Sequence, residues 1–184
     1  LLSRPIFSLI APEEYEVIDV MIDDFLSGEF SKKFIKDHMT NANEVEFGID
    51  TKLGLRDYCY WDKELLYLGK IDRINFYKDT LHIIDWKTGK MREGSDQLMH
   101  YAMWAFTEFP HVDKLVVSYV YVEHNQSKDK IVHRSDLKNI QKELLSSIVK
   151  VENDAKWDRN VTALCDYCEY GHHYENICTE KLQD

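Results

Sequence analysis

The stretch that decides the fold runs from Leu65 to Gly89 and reads LLYLGKIDRINFYKDTLHIIDWKTG. Two segments within it, 65–77 and 81–87, are rich in Ile, Leu, Tyr and Trp, and Lys78-Asp79-Thr80 separates them. Apolar and aromatic runs of this length favour strands, and a short polar interruption between two of them favours a tight turn. We therefore predict a β-hairpin.

The position of the turn fixes which residues share a face of the hairpin. If the chain turns at Asp79-Thr80, Asp72 lies opposite Lys87, and Ile74 lies opposite Asp85. Because side chains alternate between the two faces of a sheet, these four residues would then share one face. A three-residue turn would reverse the parity and place the two carboxylates on opposite faces.

The two carboxylates of the predicted hairpin suit a metal ion. As diagonal neighbours, Asp72 and Asp85 would lie roughly 7–8 Å apart at the backbone. Carboxylates at this separation can share a hard cation such as Mg²⁺. The alternative on charge alone is a structural ion pair between Asp72 and Lys87, since buried charges are costly unless they are paired.

The rest of the chain predicts a mixed α/β domain. Strands and helices alternate, which indicates a mixed central sheet flanked by helices. The predicted helices cover 13–26, 31–38, about 95–109 and a long segment that begins at Ser135 or Asp136, and further strands cover 44–53 and 114–123. We expect a single domain over residues 1–184, with 157–184 forming an irregular tail.

Charge and composition limit the classes of function. The net charge of −10 argues against nucleic acid, because phosphate binding needs Lys and Arg. The segment 70–92 is locally basic, however, with three acids against six basic residues: Lys70, Arg73, Lys78, Lys87, Lys90 and Arg92. No apolar run is long enough to span a membrane, and we expect no signal peptide at the start.

Three blocks of sequence occur in the order of a known family. They are Gly69-x-x-Asp72-Arg73, then Asp85-Trp86-Lys87-Thr88-Gly89, then Gln97-x-x-x-Tyr101. Together they resemble the RecB-type branch of the PD-(D/E)XK nucleases, over roughly residues 19–178. The resemblance implies a restriction-endonuclease-like core and metal-dependent hydrolysis of phosphodiester bonds in DNA.

The resemblance also implies roles for individual residues. Asp72 and Asp85 would hold one or two Mg²⁺ or Mn²⁺ ions, with the carbonyl of Trp86 as a further ligand. Lys87 would orient or activate the attacking water and offset charge in the transition state. The remaining assignments are Gln97, Tyr101 and Arg73 as substrate-binding residues, where Gln97 and Tyr101 alternatively brace Lys87 or, for Tyr101, pack in the core.

Two further acids are candidates for the same site. Glu46 occupies the place of a family acid on an earlier strand, and the alternative is a solvated strand residue. The branch often has a His ligand in its first helix, and Asp19 stands at that position here. Either Asp19 replaces the ligand or the site lacks it.

The tail carries a cluster of cysteines with the spacing of a zinc knuckle. The pattern is Cys165-x₂-Cys168-x₄-His173-x₄-Cys178, and these ligand types suit tetrahedral zinc. Similar nucleases carry an iron–sulfur cluster on three late cysteines and one early cysteine, which would be Cys59. The other possibilities are His172 in place of His173, and four cysteines without metal.

The overall expectation is a metal-dependent DNA exonuclease that acts on ends or single strands. The resemblance suggests DNA repair or recombination, a helicase or recombination partner, and the cytoplasm of a prokaryotic or phage-infected cell. The alternative is a non-catalytic, nuclease-derived module that binds nucleic acid and carries a zinc knuckle.

Overall fold

The computed structural model describes residues 12–35, 40–78, 80–91 and 96–156. The chain divides into two compact units, residues 1–148 and 149–184, and the described part of the second is the end of a helix and the residues up to 156. The predicted tail, 157–184, lies outside the described residues. None of the helices in the described ranges has the length and apolar character needed to cross a membrane.

Three helices and six strands form the described part. In chain order they are α1 (Pro12–Ser27), β1 (Asn41–Asp50), β2 (Leu55–Arg56), β3 (Leu65–Phe76), β4 (Leu81–Lys87), α2 (Gln97–Glu108), β5 (Lys114–Tyr121), β6 (Gln126–His133) and α3 (Leu137–Glu152). Two 3-10 turns, Ser31–Lys33 and Arg134–Asp136, precede β1 and α3. The prediction of a mixed α/β fold is confirmed.

All six strands belong to one sheet, in the order β2-β1-β3-β4-β5-β6. Neighbouring strands run antiparallel except β4 and β5, which run parallel and are connected through α2. Parallel neighbours need such a crossover because a short turn can join only antiparallel strands. The crossover puts α2 on one face of the sheet, directly over the central strands.

Each face of the sheet has its own core. The α2 face holds the larger one, which includes Tyr101 and Phe106 of the helix with Ile83 and Val117 of the sheet. The other face carries a smaller cluster of α1 and neighbouring residues: Phe25, Phe34, Ile84, Val120 and Val122. Both faces of β4 are therefore covered, which is why a charged residue on this strand is buried.

The hairpin of β3 and β4 forms, but the predicted register is wrong by two residues. Ile74 pairs with Ile83 instead of Asp85, and Arg73 pairs with Ile84. The N–H of Tyr77 donates to the carbonyl of Thr80 at 2.9 Å, so the turn lies one residue earlier than predicted. A shift of two residues keeps the parity of β4 relative to the paired part of β3, residues 73–76.

β3 does not alternate strictly between the faces. Ile71 and Ile74 are three residues apart, yet both pack in the core under α2. The change occurs beside Glu44 of β1, which lies between two paired positions and has a φ of 55°. A non-glycine residue in this left-handed region is uncommon, and irregular strand positions cluster near functional sites.

Candidate active site

Asp72 lies where the regular pairing of β3 and β4 ends. The last paired residues are Arg73 and Ile84, and the next hydrogen bond between the strands uses a side chain. The backbone N–H of Trp86 donates to Oδ2 of Asp72 at 2.8 Å. The carboxylate thus takes the place of a backbone acceptor and is held against the segment of β4 that carries Asp85 and Lys87.

Asp85 is the most deeply buried acid of this region, with 3% of its surface exposed. The Lys87 ammonium contacts its Oδ2 as an ion pair. Burial raises the pKa of the Asp85 carboxyl; the Lys87 ammonium opposes that increase, and the Asp72 carboxylate adds a little to it.

A short chain of polar groups on α2 braces Lys87. Its Nζ donates to Oε1 of Gln97 at 3.4 Å, and Nε2 of Gln97 donates to the Tyr101 hydroxyl at 2.6 Å. The hydroxyl in turn donates to the carbonyl of Lys70 on β3 at 2.7 Å. The i, i+4 spacing of Gln97 and Tyr101 aligns them on one side of the helix. The amide of Gln97 uses both of its ends within the protein.

Two tyrosines that sequence reasoning did not assign also surround the site. The Lys87 ammonium lies 5.1 Å from the ring centre of Tyr119, which pairs with Asp85 across the parallel strands. Burial, with smaller contributions from Tyr119 and Asp85, raises the pKa of Tyr67 to about 12. Burial and Asp85 also raise the pKa of Tyr101. Both shifts favour the neutral phenol of Tyr67 and Tyr101.

The two carboxylates fit a divalent cation. In the part of the chain that the structure describes, no three His, Cys, Asp or Glu side chains form a group able to hold a metal. Asp72 and Asp85 would therefore be the only two side-chain ligands contributed by these residues. Mg²⁺ commonly takes one or two carboxylates together with waters and substrate phosphate.

A comparison with protein families decides the affiliation of the chain. The model of the PD-(D/E)XK nuclease superfamily matches residues 16–178. The chain belongs to this superfamily. Membership implies a nuclease that hydrolyses phosphodiester bonds of a nucleic acid, and nucleases of this superfamily typically use Mg²⁺ or Mn²⁺.

Other comparisons are less informative about this nuclease. Among curated proteins, none matches the chain. A solved structure described as the crystal structure of SSO0001 is similar over 94% of this chain and 73% of its own, with 18% sequence identity and a TM-score of 0.35.

Two other predicted site residues of the nuclease, Glu46 and Arg73, contact residues outside the carboxylate pair. Glu46 is about half exposed, and its carboxylate lies 3.5 Å from the Lys70 ammonium. The Arg73 guanidinium donates to Asn75 at 2.8 Å and to Asn43 at 3.1 Å. Arg73 pairs with Ile84, whose side chain packs in the cluster on the face away from α2. The contact of Arg73 with substrate stays a prediction.

Some of the remaining predicted site residues lie within the described ranges of the structure, and the others lie outside them. Asp19 is exposed on α1, and it joins no group of potential metal ligands among the described residues. The Trp86 ring packs edge-on against Phe25 at 5.8 Å, so only its backbone faces the site. Cys59 is a free, exposed thiol. The cysteines and histidine of the tail, Cys165, Cys168, His173 and Cys178, lie outside the described residues.

Proposed function

We propose that this chain is a metal-dependent DNA nuclease of the RecB-type branch, acting as an exonuclease on ends or single strands. The observation that carries the proposal is the buried Asp85 carboxylate, which forms an ion pair with Lys87 on a strand segment that also holds the Asp72 carboxylate through the Trp86 N–H. Burying a carboxylate in this way is costly, and a functional site is where such a cost is maintained.

Asp72 and Asp85, with the Trp86 carbonyl, would hold Mg²⁺ or Mn²⁺. A cation bound there supplies an activated water at neutral pH and stabilises charge on the phosphate. The protein orients the two carboxylates before a cation binds. The N–H of Trp86 fixes the Asp72 carboxylate, and covered strands on both sides fix Asp85.

Lys87 would bind a phosphate oxygen and offset the negative charge that grows on it in the transition state. An ammonium that is already oriented needs little reorganisation when this charge develops. The contact with Gln97 and the position over Tyr119 provide that orientation. Since both ends of the Gln97 amide have partners inside the protein, we assign Gln97 and Tyr101 to positioning Lys87 and not to binding DNA.

The tail would bind a separate structural metal through Cys165, Cys168, His173 and Cys178, with zinc as the metal. The spacing supports this assignment, and the family match extends through residue 178. A helicase or recombination protein would be the partner that delivers DNA ends.

Digestion of end-labelled DNA tests the proposed function. Single-stranded and blunt double-stranded substrates, labelled at either end, are incubated with Mg²⁺, Mn²⁺ or EDTA. We expect short products from one labelled end, no cleavage in EDTA, and preference for free ends over closed circles. Products of intermediate length from a closed circle would show an endonuclease. Absence of cleavage under all metal conditions would leave a non-catalytic binding module.

A further inference from the structure

Two aromatic side chains stand in solvent on the loop between β2 and β3. Trp61 is 90% exposed and Tyr60 is 75% exposed, whereas Trp104 on α2 is 6% exposed. Large aromatic residues dominate cores and interfaces because they bury so much apolar surface. Two adjacent rings that remain uncovered therefore indicate a ligand. We refer to residues 57–63 as the aromatic loop.

Hydrogen bonds hold the backbone of the aromatic loop in place. The N–H of Asp62 donates to the carbonyl of Cys59 at 3.3 Å, and the N–H of Leu65 donates to the carbonyl of Asp62 at 3.2 Å. The Asp62 carboxylate accepts from the N–H of Glu64 at 3.0 Å. The Tyr58 and Tyr60 rings contact each other edge-on at 5.5 Å. The rings are thus presented from an ordered turn, which reduces the entropy lost on binding.

The aromatic loop connects to the carboxylate pair through β3. Leu65 begins the strand and Asp72 follows seven residues later, which corresponds to about 23 Å of strand. Tyr58 lies close enough to Lys70 to interact electrostatically, and the Lys70 carbonyl is the last acceptor of the chain that braces Lys87. A nucleic acid strand that leaves the site along β3 would reach the loop within several nucleotides, at about 3.4 Å or more for each.

The charges around the loop favour bases over phosphates. Arg56 is already paired with Asp50 at 3.5 Å and with Glu64 at 2.9 Å. Between residues 56 and 64 there are three acids and two basic residues, which gives a net charge of −1. The neighbours Asp57 and Lys63 are charged and exposed, so the rings do not belong to a broad apolar patch of the kind that a protein partner covers.

We propose that Tyr60 and Trp61 stack on unpaired bases of a single-stranded segment whose scissile phosphate lies at Asp72 and Asp85. The assignment rests on the proposed function and adds a contact for the single strand, several nucleotides away from the cleaved bond. Stacking of bases on aromatic side chains tolerates any sequence and is worth about 1–3 kcal/mol per base, or roughly 5- to 150-fold in affinity.

Fluorescence anisotropy tests the proposal in EDTA, where no cleavage occurs. The probe is a labelled oligothymidylate long enough to span β3, compared with a blunt duplex, and the protein is the full chain. We expect Trp61→Ala to weaken binding of the oligothymidylate about 5- to 150-fold and Trp61→Phe to restore most of it. Tyr77→Ala removes an exposed aromatic side chain at the opposite end of β3 and is the matched control, with unchanged affinity.

The salt dependence of binding and the intrinsic tryptophan fluorescence distinguish base stacking from charge attraction. Because the loop is not basic, the loss caused by Trp61→Ala should be the same at about 50 and 200 mM salt. Oligothymidylate should quench tryptophan emission in the parent but not in Trp61→Phe. Equal DNA affinity of the parent and Trp61→Ala would overturn the proposal. If Trp61→Ala instead loses self-association while its DNA affinity is unchanged, the aromatic loop is a protein contact and the proposal is also overturned. Binding is measured without metal, so failure of cleavage and failure of this inference are distinguishable.

Discussion

Replacing Gly69 with Ala should destabilise the protein through one steric conflict. Gly69 pairs with Phe47 on β1, and no described glycine has a positive φ, so conformational freedom is not the reason for glycine here. A Cβ on Gly69 would lie 2.5 Å from Cε1 of Phe47 and nearer still to Cζ. The ring cannot yield easily, since it is buried between Trp104 at 5.4 Å and Tyr101 at 6.1 Å.

The loss of stability can be estimated from the displacement of the Phe47 ring. Overpacking of a core costs about 1–3 kcal/mol, and losing one aromatic pair costs about 0.5–1.5 kcal/mol more. The reduced freedom of the unfolded chain returns about 0.4–1 kcal/mol. The free energy of unfolding should therefore fall by about 2 kcal/mol. With an m-value of about 2 kcal/mol/M, the urea midpoint should fall by about 1 M.

Urea denaturation in EDTA, followed by circular dichroism, measures this effect. Gly89→Ala is the matched control, because nothing lies within 4 Å of the added Cβ, and its free energy should change by less than about 0.5 kcal/mol. Phe47→Leu should relieve the conflict, so that Gly69→Ala costs less in that background. A midpoint equal to that of the parent, or an equal loss in both backgrounds, would refute the reasoning.

Three further predictions concern the Asp85 carboxylate, the contact of Gln97 with Lys87, and the metal of the cysteine tail. Because burial raises the folded-state pKa of Asp85, its contribution to stability is complete below its ordinary value of 3.8 and is lost as the pH rises through the folded-state value. Asp85→Asn should therefore raise the Tm in EDTA at pH 7, and this advantage should vanish below about pH 4. Gln97→Ala should lower kcat about tenfold with little change in DNA affinity, since it loosens Lys87. Elemental analysis should give about one zinc and no iron per chain, unchanged in Cys59→Ser.

Control variants accompany the Asp85 and Gln97 predictions, and each of the three predictions has a result that would contradict it. Asp23→Asn changes an exposed acid on α1 and should leave the Tm unaltered, whereas a Tm of Asp85→Asn below that of the parent at pH 7 would contradict the burial argument. Thr107→Ala, later on α2, should keep kcat, and weaker DNA binding by Gln97→Ala would make Gln97 a substrate contact. A brown protein with iron that is lost in Cys59→Ser would identify an iron–sulfur cluster.

Much of the site was accessible from the sequence because it depends on local patterns. The hairpin follows from two apolar runs with a polar break, and the contact of Gln97 with Tyr101 follows from helical spacing. The register was wrong because Lys78-Asp79-Thr80 lacks the glycine that would fix a turn type. That Asp72 and Asp85 share a face stays a prediction, because β3 departs from strict alternation at the position of Asp72.

Features that depend on contacts distant in sequence were missed. β6 is an edge strand in which Val132 alone is buried, so it has no apolar alternation to predict it. The position of Tyr119 beside Lys87 requires the parallel pairing of β4 with β5, which a pattern within one strand does not encode. The contacts of the Arg73 guanidinium with Asn75 and with Asn43 on β1 were likewise not predicted, since the second joins residues that are distant in sequence.

The most direct test of the central claim is the rate at which Asp85→Asn cleaves single-stranded DNA in saturating Mn²⁺. We expect the parent to cleave and the variant, folded and at least as stable in EDTA, to be slower by about 10²-fold or more, because the cation loses a charged ligand. Lys87→Ala should show a comparable loss. Cleavage by folded Asp85→Asn at the rate of the parent would contradict the assignment of this site.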